Sequence, residues 1–220
     1  TEEQQISFLS FVRDDPIFCK QYDAYNILLG TGLRISEFIG LTVHDLDMQN
    51  RIIHVTHQLT LARDRTFHVT KPKSWHSIRD IYMSDSVYHS FQHLVEEAKN
   101  RKVKIMIDGY CDFLQVSREG TIRGRRNFNM SLTSAVKKYN RLHPDTPLPR
   151  ITPHTFRHTF CTNMANRGID IKSLQYLMGH SNVAITLNVY THANANTAVQ
   201  QMARLVEFTP TGSSAVPHVG

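Results

Sequence analysis

The pattern of apolar and polar positions divides the 220-residue chain into helical stretches around one block of β-branched sequence. Thr1 and Gln4 have capping-box spacing, which predicts a first helix from Glu2 to about Val12. After Pro16, KQYDAYNILLG is largely apolar and predicts a buried helix ending at Gly30. In TGLRISEFIGL, Gly32 permits a tight turn, and Ile35, Phe38, Ile39 and Leu41 recur at helical spacing. The pattern then changes. RIIHVTHQLTL, RTFHVT and SIRDIYM are rich in β-branched and aromatic residues and predict strands, with KPKSWH as the hairpin tip joining the second run to the third. Ser84 is placed to cap a helix from Asp85 to about Lys99, with Val87, Phe91, Leu94, Val95 and Ala98 as its inward stripe.

Further on, DGYCDFLQVSREGTIRG reads as turn, short strand and turn, ending in the basic cluster Arg123, Arg125 and Arg126. A helix is predicted from about Asn129 to Leu142, followed by HPDTPLPRITP, a connector too short to link domains. Thr152 suits an N-cap and Pro153 the first helical position, so a helix runs to about Asn166, with Gly168 as its stop. KSLQYLMG predicts a short helix stopping at Gly179, and another spans Asn182 to about Val189. The segment Asn194 to Phe208 reads as a tail helix with Val199, Met202, Leu205 and Val206 on one side. The last residues, TPTGSSAVPHVG, are expected to be flexible or docked on a partner. There is no internal repeat.

Composition narrows the class. The chain has 25 Lys+Arg against 19 Asp+Glu, a formal net charge of +6, which suggests a polyanionic partner without identifying one. Cys19, Cys111 and Cys161 are odd in number and widely spaced, which fits reduced thiols rather than a disulfide framework or structural zinc site. No apolar run approaches the roughly 20 residues of a membrane helix. TEEQQISF does not look like a signal or transit peptide, so a cytoplasmic protein is expected. The basic run KNRKVK reads as a solvated face.

Candidate chemistry concentrates between Pro153 and His192. His154 and Arg157 share one face near a helix N-terminus, where free N–H groups and the dipole favour anions. His180 follows the Met178-Gly179 stop, and Tyr190 comes ten residues later. Taken singly, His180 is a helix cap and Tyr190 a packed aromatic. Arg34 with Glu37 is likewise an ordinary helical ion pair, and Lys71 and Lys73 are solvated loop cations or probes reaching into a groove. His154 with His158 has the spacing of a metal pair, but Thr155 stands where HExxH requires Glu, and no acidic third ligand follows. No metal site is expected.

Together these residues change the odds. TGLRISE, KPKSWHSIR, HTFRH, LMGHS and NVYTH occur in the order and at spacings compatible with the catalytic domain of the tyrosine recombinase (phage-type integrase) family, which the chain resembles over nearly its full length. IDGYCDFL and LNVYTHA look most like the integrases of conjugative transposons. The resemblance implies an α+β fold, mainly helical with a small three-stranded antiparallel sheet, the DNA breaking-rejoining fold. It implies a catalytic domain over 1–192 and a tail over 193–220 docking on a neighbouring protomer, with no core-binding or arm-binding domain before Thr1.

Carried over residue by residue, the family's catalytic set falls on Arg34, Lys73, His154, Arg157, His180 and Tyr190, with Glu37 orienting its neighbours. Lys73 is preferred to Lys71 because Lys73-Ser74 followed by Ser77-x-Arg79 fits the family register, with Ser in place of Thr. Lys71, Arg79, Arg123, Arg125 and Arg126 are further expected DNA contacts. The implied activity is site-specific recombination through a 3′-phosphotyrosine and a Holliday junction, moving a mobile element without cofactor, metal or ATP. The implied partners are double-stranded DNA attachment sites, copies of the same chain (dimer to tetramer), and accessory DNA-bending or excision factors; the implied place is the bacterial nucleoid. A chromosome-dimer resolvase or temperate-phage integrase would share this chemistry. A silent DNA-binding module is disfavoured by six competent catalytic positions, and a His-based metal hydrolase by the missing carboxylates.

Overall fold

Helix α2 (Tyr22–Thr31) lies at the centre, because it is apolar on almost every side: Ala24, Tyr25, Ile27, Leu28 and Leu29 are all buried. The computed structural model describes residues 1–72 and 75–189. Around α2 pack α1 (Glu2–Asp14), α4 (Asp85–Lys99) and α6 (Pro153–Asn166). The Tyr25 ring meets Phe8 of α1 at 6.0 Å and Phe156 of α6 at 5.6 Å between centroids. The Thr1–Gln4 cap forms as expected, with Gln4 N–H donating to Thr1 Oγ1. The expected inward stripe of α4 is present, Val87, Phe91, Leu94 and Ala98 being buried. Ser84 occupies the N-cap position, although its hydroxyl caps no helix N–H and lies instead 3.4 Å from Ser86 Oγ.

Helix α3 (Ile35–Gly40) follows α2 after a turn at Gly32, whose φ of 64° is left-handed. A Cβ at Gly32 would sit 2.4 Å from the Phe160 ring, so the close approach of α6 also requires glycine there.

The strands form, but not in the expected pairing. The run RIIHVTHQLTL is two strands, β2 (Ile52–Val55) and β3 (Gln58–Leu61), broken at Thr56-His57. His57 is buried, its Nε2 2.8 Å from the Gly40 carbonyl, which fastens the break to the end of α3. β2 is central in a three-stranded antiparallel sheet between β1 (Leu46–Asp47) and β5 (Arg79–Tyr82), with Ile53 opposite Ile81. β3 pairs separately with β4 (Phe67–Thr70). The connector from Lys71 therefore passes from one sheet to the other and is not a hairpin tip. A further short hairpin, β6 (Met106–Ile107) with β7 (Tyr110–Cys111), turns through Asp108-Gly109 at φ 48° and 84°. Asp108 Oδ2 accepts the outward Val69 N–H of β4 at 2.8 Å.

Helix α5 (Arg125–Leu142) begins earlier than expected, because Gly124 serves as N-cap and its N–H donates to Asn127 Oδ1. Helix α7 (Ile171–Met178) packs on α6 through a second apolar cluster of Phe160, Cys161, Ala165, Leu174 and Met178. Residues 183–189 are helical (α8). No helix among the described residues is long and apolar enough to cross a membrane. The predicted tail helix lies outside the described residues.

Candidate active site

The site is built on the end of α7. Gly179 adopts φ 58° and stops the helix, its N–H donating to the Tyr176 carbonyl while the His180 N–H donates to that of Gln175. The next three carbonyls, of Leu177, Met178 and Gly179, each accept from a different arginine. Arg79 Nε donates to Leu177 O at 2.6 Å, Arg157 Nη2 donates to Met178 O, and Arg34 Nη2 donates to Gly179 O at 2.8 Å. Carbonyls left over at a helix C-terminus carry the negative end of the dipole, so they hold cations.

These arginines come from separate elements: Arg34 from the N-cap of α3, Arg79 from β5 and Arg157 from the second turn of α6. Arg157 also donates through Nη1 to the Gly32 carbonyl at 2.6 Å, which ties the turn after α2 into the site. One carboxylate lies among them. Glu37 is 2% exposed. Its Oε1 accepts from Arg34 Nη1 (2.7 Å) and Arg79 Nη1 (3.1 Å), and its Oε2 from Arg79 Nη2 and the Arg34 backbone N–H (both 2.8 Å).

The electrostatics follow from this crowding. Burial alone would raise the Glu37 carboxyl, but hydrogen bonding from Arg79 and the charges of Arg79 and Arg34 hold it below its ordinary value. Burial, then the charge of Arg34, pushes Arg157 down to about 9, so it remains charged at neutral pH. Three guanidiniums against one carboxylate leave a local charge of +2 in a partly enclosed site. That is an anion trap.

His180 stands beside the trap with Nδ1 3.0 Å from Oγ1 of Thr186, a buried residue of α8. Burial, then the charges of Arg157 and Arg34, pushes His180 down to about 4, so its imidazole is neutral at neutral pH. Because protonation is disfavoured in the folded state, the stabilisation from His180 is complete above its unfolded value near 6.5 and is lost as pH falls from there towards 4. His180→Asn is expected to flatten the acid side of the melting-temperature profile in that window; an unchanged profile would remove His180 as its source. His154 is exposed near the N-terminus of α6, its ring 5.6 Å from that of His158. Burial, then the charges of His158, Arg157 and Arg125, lowers it, leaving a neutral base at neutral pH.

Gly179 is the narrow point. A Cβ there would lie 3.1 Å from Arg79 Nη1 and 3.3 Å from Arg34 Nη1, on a backbone that L-residues avoid at a cost of about 1–2 kcal/mol. Gly179→Ala is expected to lower the melting temperature modestly and to weaken binding of an oxyanion such as sulfate, because the added Cβ displaces Arg79 and Arg34. Equal melting temperatures and equal sulfate affinities of variant and parent, by thermal melting and calorimetry, would contradict this.

Of the residues singled out in the sequence, Arg34, Glu37, Arg157 and His180 are brought together. Lys73 and Tyr190 lie outside the described residues. Lys71 is exposed just after β4, Arg125 and Arg126 are exposed in the first turn of α5, and Arg123 is half-buried. Arg79 is a correction: expected to contact DNA, its side chain is 0% exposed and is engaged by Glu37, Leu177 O and Ser77 O. The pattern that carried the hint was Arg79 on an alternating strand, facing inward between exposed Ile78 and Asp80. Sequence reasoning also missed the carbonyls of Gly32 and of 177–179, for which no side-chain signal exists. Among the described residues, His44, Cys111 and Asp112 place ligand atoms within 4.8 Å of one another, but Lys104 Nζ already pairs with Asp112 at 2.5 Å.

The profile of the phage integrase family matches residues 1–197. The transposase from transposon Tn916 of Enterococcus faecalis is 44% identical over 205 residues, covering 93% of this chain and 50% of that protein. Tyrosine recombinase XerC of Chlorobaculum tepidum is 31% identical over 170 residues, covering 77% of this chain and 44% of that protein. The chain thus spans about half the length of the curated relatives it matches. The structure of the Tn1549 transposon integrase in complex with transposon right end DNA superposes with a TM-score of 0.85 at 45% identity, covering 94% of this chain and 65% of that one. XerA recombinase, at 23% identity and a TM-score of 0.67 over 96% of this chain and 64% of its own, shares the fold.

Proposed function

This chain belongs to the phage integrase family, the tyrosine recombinases, and from that premise we propose that it cuts and rejoins DNA through a phosphotyrosine link. The scissile phosphodiester is an anion with a poor alkoxide leaving group. Arg34 and Arg157 fork onto its non-bridging oxygens and stabilise the extra charge of the pentavalent transition state. Tyr190 attacks phosphorus: a Tyr190 O–P bond forms and the P–O5′ bond breaks, leaving a 3′-phosphotyrosine and a free 5′-hydroxyl. An unperturbed phenol has a pKa near 10, so neutral His154 takes its proton. Lys73, or Lys71 beside it, gives a proton to the departing O5′. With Thr186 against Nδ1, His180 turns Nε2 towards a non-bridging oxygen.

The phosphate bond is kept in the protein–DNA link, so rejoining needs no ATP. Attack by the 5′-hydroxyl of another duplex exchanges strands, and two rounds resolve a Holliday junction. The cargo fitting the 44% identity to the Tn916 transposase is a conjugative transposon. Its partners would be double-stranded DNA attachment sites read in the cytoplasm by a dimer or tetramer of this chain, with the 193–220 tail docked on a neighbour. Arg123, Arg125, Arg126 and Lys71 would contact phosphates. Chromosome-dimer resolution uses the same chemistry on a different site.

The observation that supports this reading most is the convergence of Arg34, Arg157 and His180 on one helix end around a local +2 charge. Incubation with a nicked suicide attachment-site duplex in EDTA is expected to trap a covalent protein–DNA adduct. Specific, salt-sensitive binding without adduct would instead identify a silent binding module.

A further inference from the structure

We infer that Arg79 is a positioning residue for the strand-cleavage reaction, holding Arg34 in the orientation that receives the phosphate; this rests on the arginine clamp proposed above. Arg79 cannot touch DNA where it stands, since its side chain is fully enclosed. Its bonds nevertheless go to the carboxylate that also holds Arg34 and to the same helix end. It shares the Glu37 carboxylate with Arg34, and it takes the carbonyl of Leu177 two residues before the one Arg34 takes.

A carboxylate beside a lone arginine forms a two-pronged fork, with both oxygens facing one guanidinium. Here Arg79 has both prongs on Glu37, through Nη1 at 3.1 Å and Nη2 at 2.8 Å. Arg34 is left one side-chain bond to Glu37, through Nη1, and places Nη2 on Gly179 O. Its side chain stays 34% exposed, so its remaining N–H groups can reach a ligand. Without Arg79, Glu37 would be open to fork onto Arg34 and draw it away from Gly179 into the interior. Arg79 also keeps the clamp cationic: Arg34 and Arg157 against Glu37 alone sum to +1, and with Arg79 the sum is +2. A doubly charged phosphorane is matched by the second value.

A lysine at position 79 keeps the charge but cannot fork onto Glu37 while reaching Leu177 O. The test compares Arg79→Lys with the parent in single-turnover cleavage of two suicide duplexes. One carries an ordinary scissile phosphodiester, the other a methylphosphonate, in which a methyl replaces one non-bridging oxygen and removes the charge. Arg79→Lys is expected to lose about 10²-fold on the diester, the scale of a 1 Å misplacement, and only a few-fold on the methylphosphonate. DNA affinity should be unchanged. Arg34→Ala is the reference: if it fails to discriminate the two substrates, the clamp reading itself falls. If Arg34→Ala discriminates while Arg79→Lys loses equally on both, or loses nothing, Arg79 has no positioning role. Should Arg79→Lys fail to show a cooperative melt, Glu37→Gln, which loosens the same fork, is expected to give the same substrate-selective loss, and an equal loss on both substrates would overturn the inference.

Discussion

Tyr190→Phe is expected to bind attachment-site DNA with unchanged affinity and to form no covalent adduct. The substitution removes one hydroxyl and leaves the shape of the side chain. Affinity depends on Lys and Arg neutralising phosphates, and the chain's +6 balance is untouched. Chemistry depends on an oxygen that can attack phosphorus, which phenylalanine lacks. The loss should therefore be complete on a denaturing gel while gel-shift titrations at one fixed salt concentration superpose. Tyr176, on α7, is the instructive control among the described tyrosines, because its hydroxyl already accepts the Asp80 N–H at 3.0 Å. Tyr176→Phe should leave the adduct in place. An adduct that survives Tyr190→Phe would move the nucleophile elsewhere and undo the proposed mechanism.

The second large effect is expected at Arg157, a side chain that ties two backbone carbonyls together and to which the proposed mechanism gives a catalytic role. Arg157→Ala removes a transition-state donor, and the loss of one such contact lowers the rate by about 10²–10³-fold. It also leaves the Gly32 and Met178 carbonyls without their donor. An orphaned buried acceptor is worth roughly 1–3 kcal/mol, so the melting temperature should fall together with the rate. Arg157→Lys separates the two roles. It restores a charge for the phosphate but cannot span both carbonyls, so it should recover less stability than activity. The reverse result would make Arg157 a structural residue. Because burial, then the charge of Arg34, holds Arg157 down at about 9, a bound anion relieves part of that cost by opposing the repulsion. DNA should then stabilise the parent chain more than it stabilises Arg157→Ala, a difference measurable by thermal melting.

Much of the fold was legible because local rules and burial agree. The stripe of α4 and the Thr1–Gln4 cap are read from residues close in sequence, and the structure contains both. The strand block was legible as strands and not as a sheet. RIIHVTHQLTL looks continuous, and nothing local says that His57 turns inward to the Gly40 carbonyl and splits the run between two partners. The start of α5 was placed late because Arg125 and Arg126 read as a loop cluster, whereas Gly124 and Asn127 cap a helix that includes them.

For the site, the sequence by itself supplied candidates: the order and spacing of five motifs, through the family resemblance, point to Arg34, Glu37, Lys73, His154, Arg157, His180 and Tyr190. Only the tertiary structure decided how the cations are held and which of them stays exposed. Arg79 and Arg34 are both arginines beside element boundaries, yet one is enclosed and the other one-third exposed. The reason is physical. The acceptors that sort them are backbone carbonyls at the end of α7, and every residue has the same carbonyl. Which carbonyls are left over, and which guanidiniums reach them, is fixed by where Gly179 stops the helix and how α3, β5 and α6 pack around that stop.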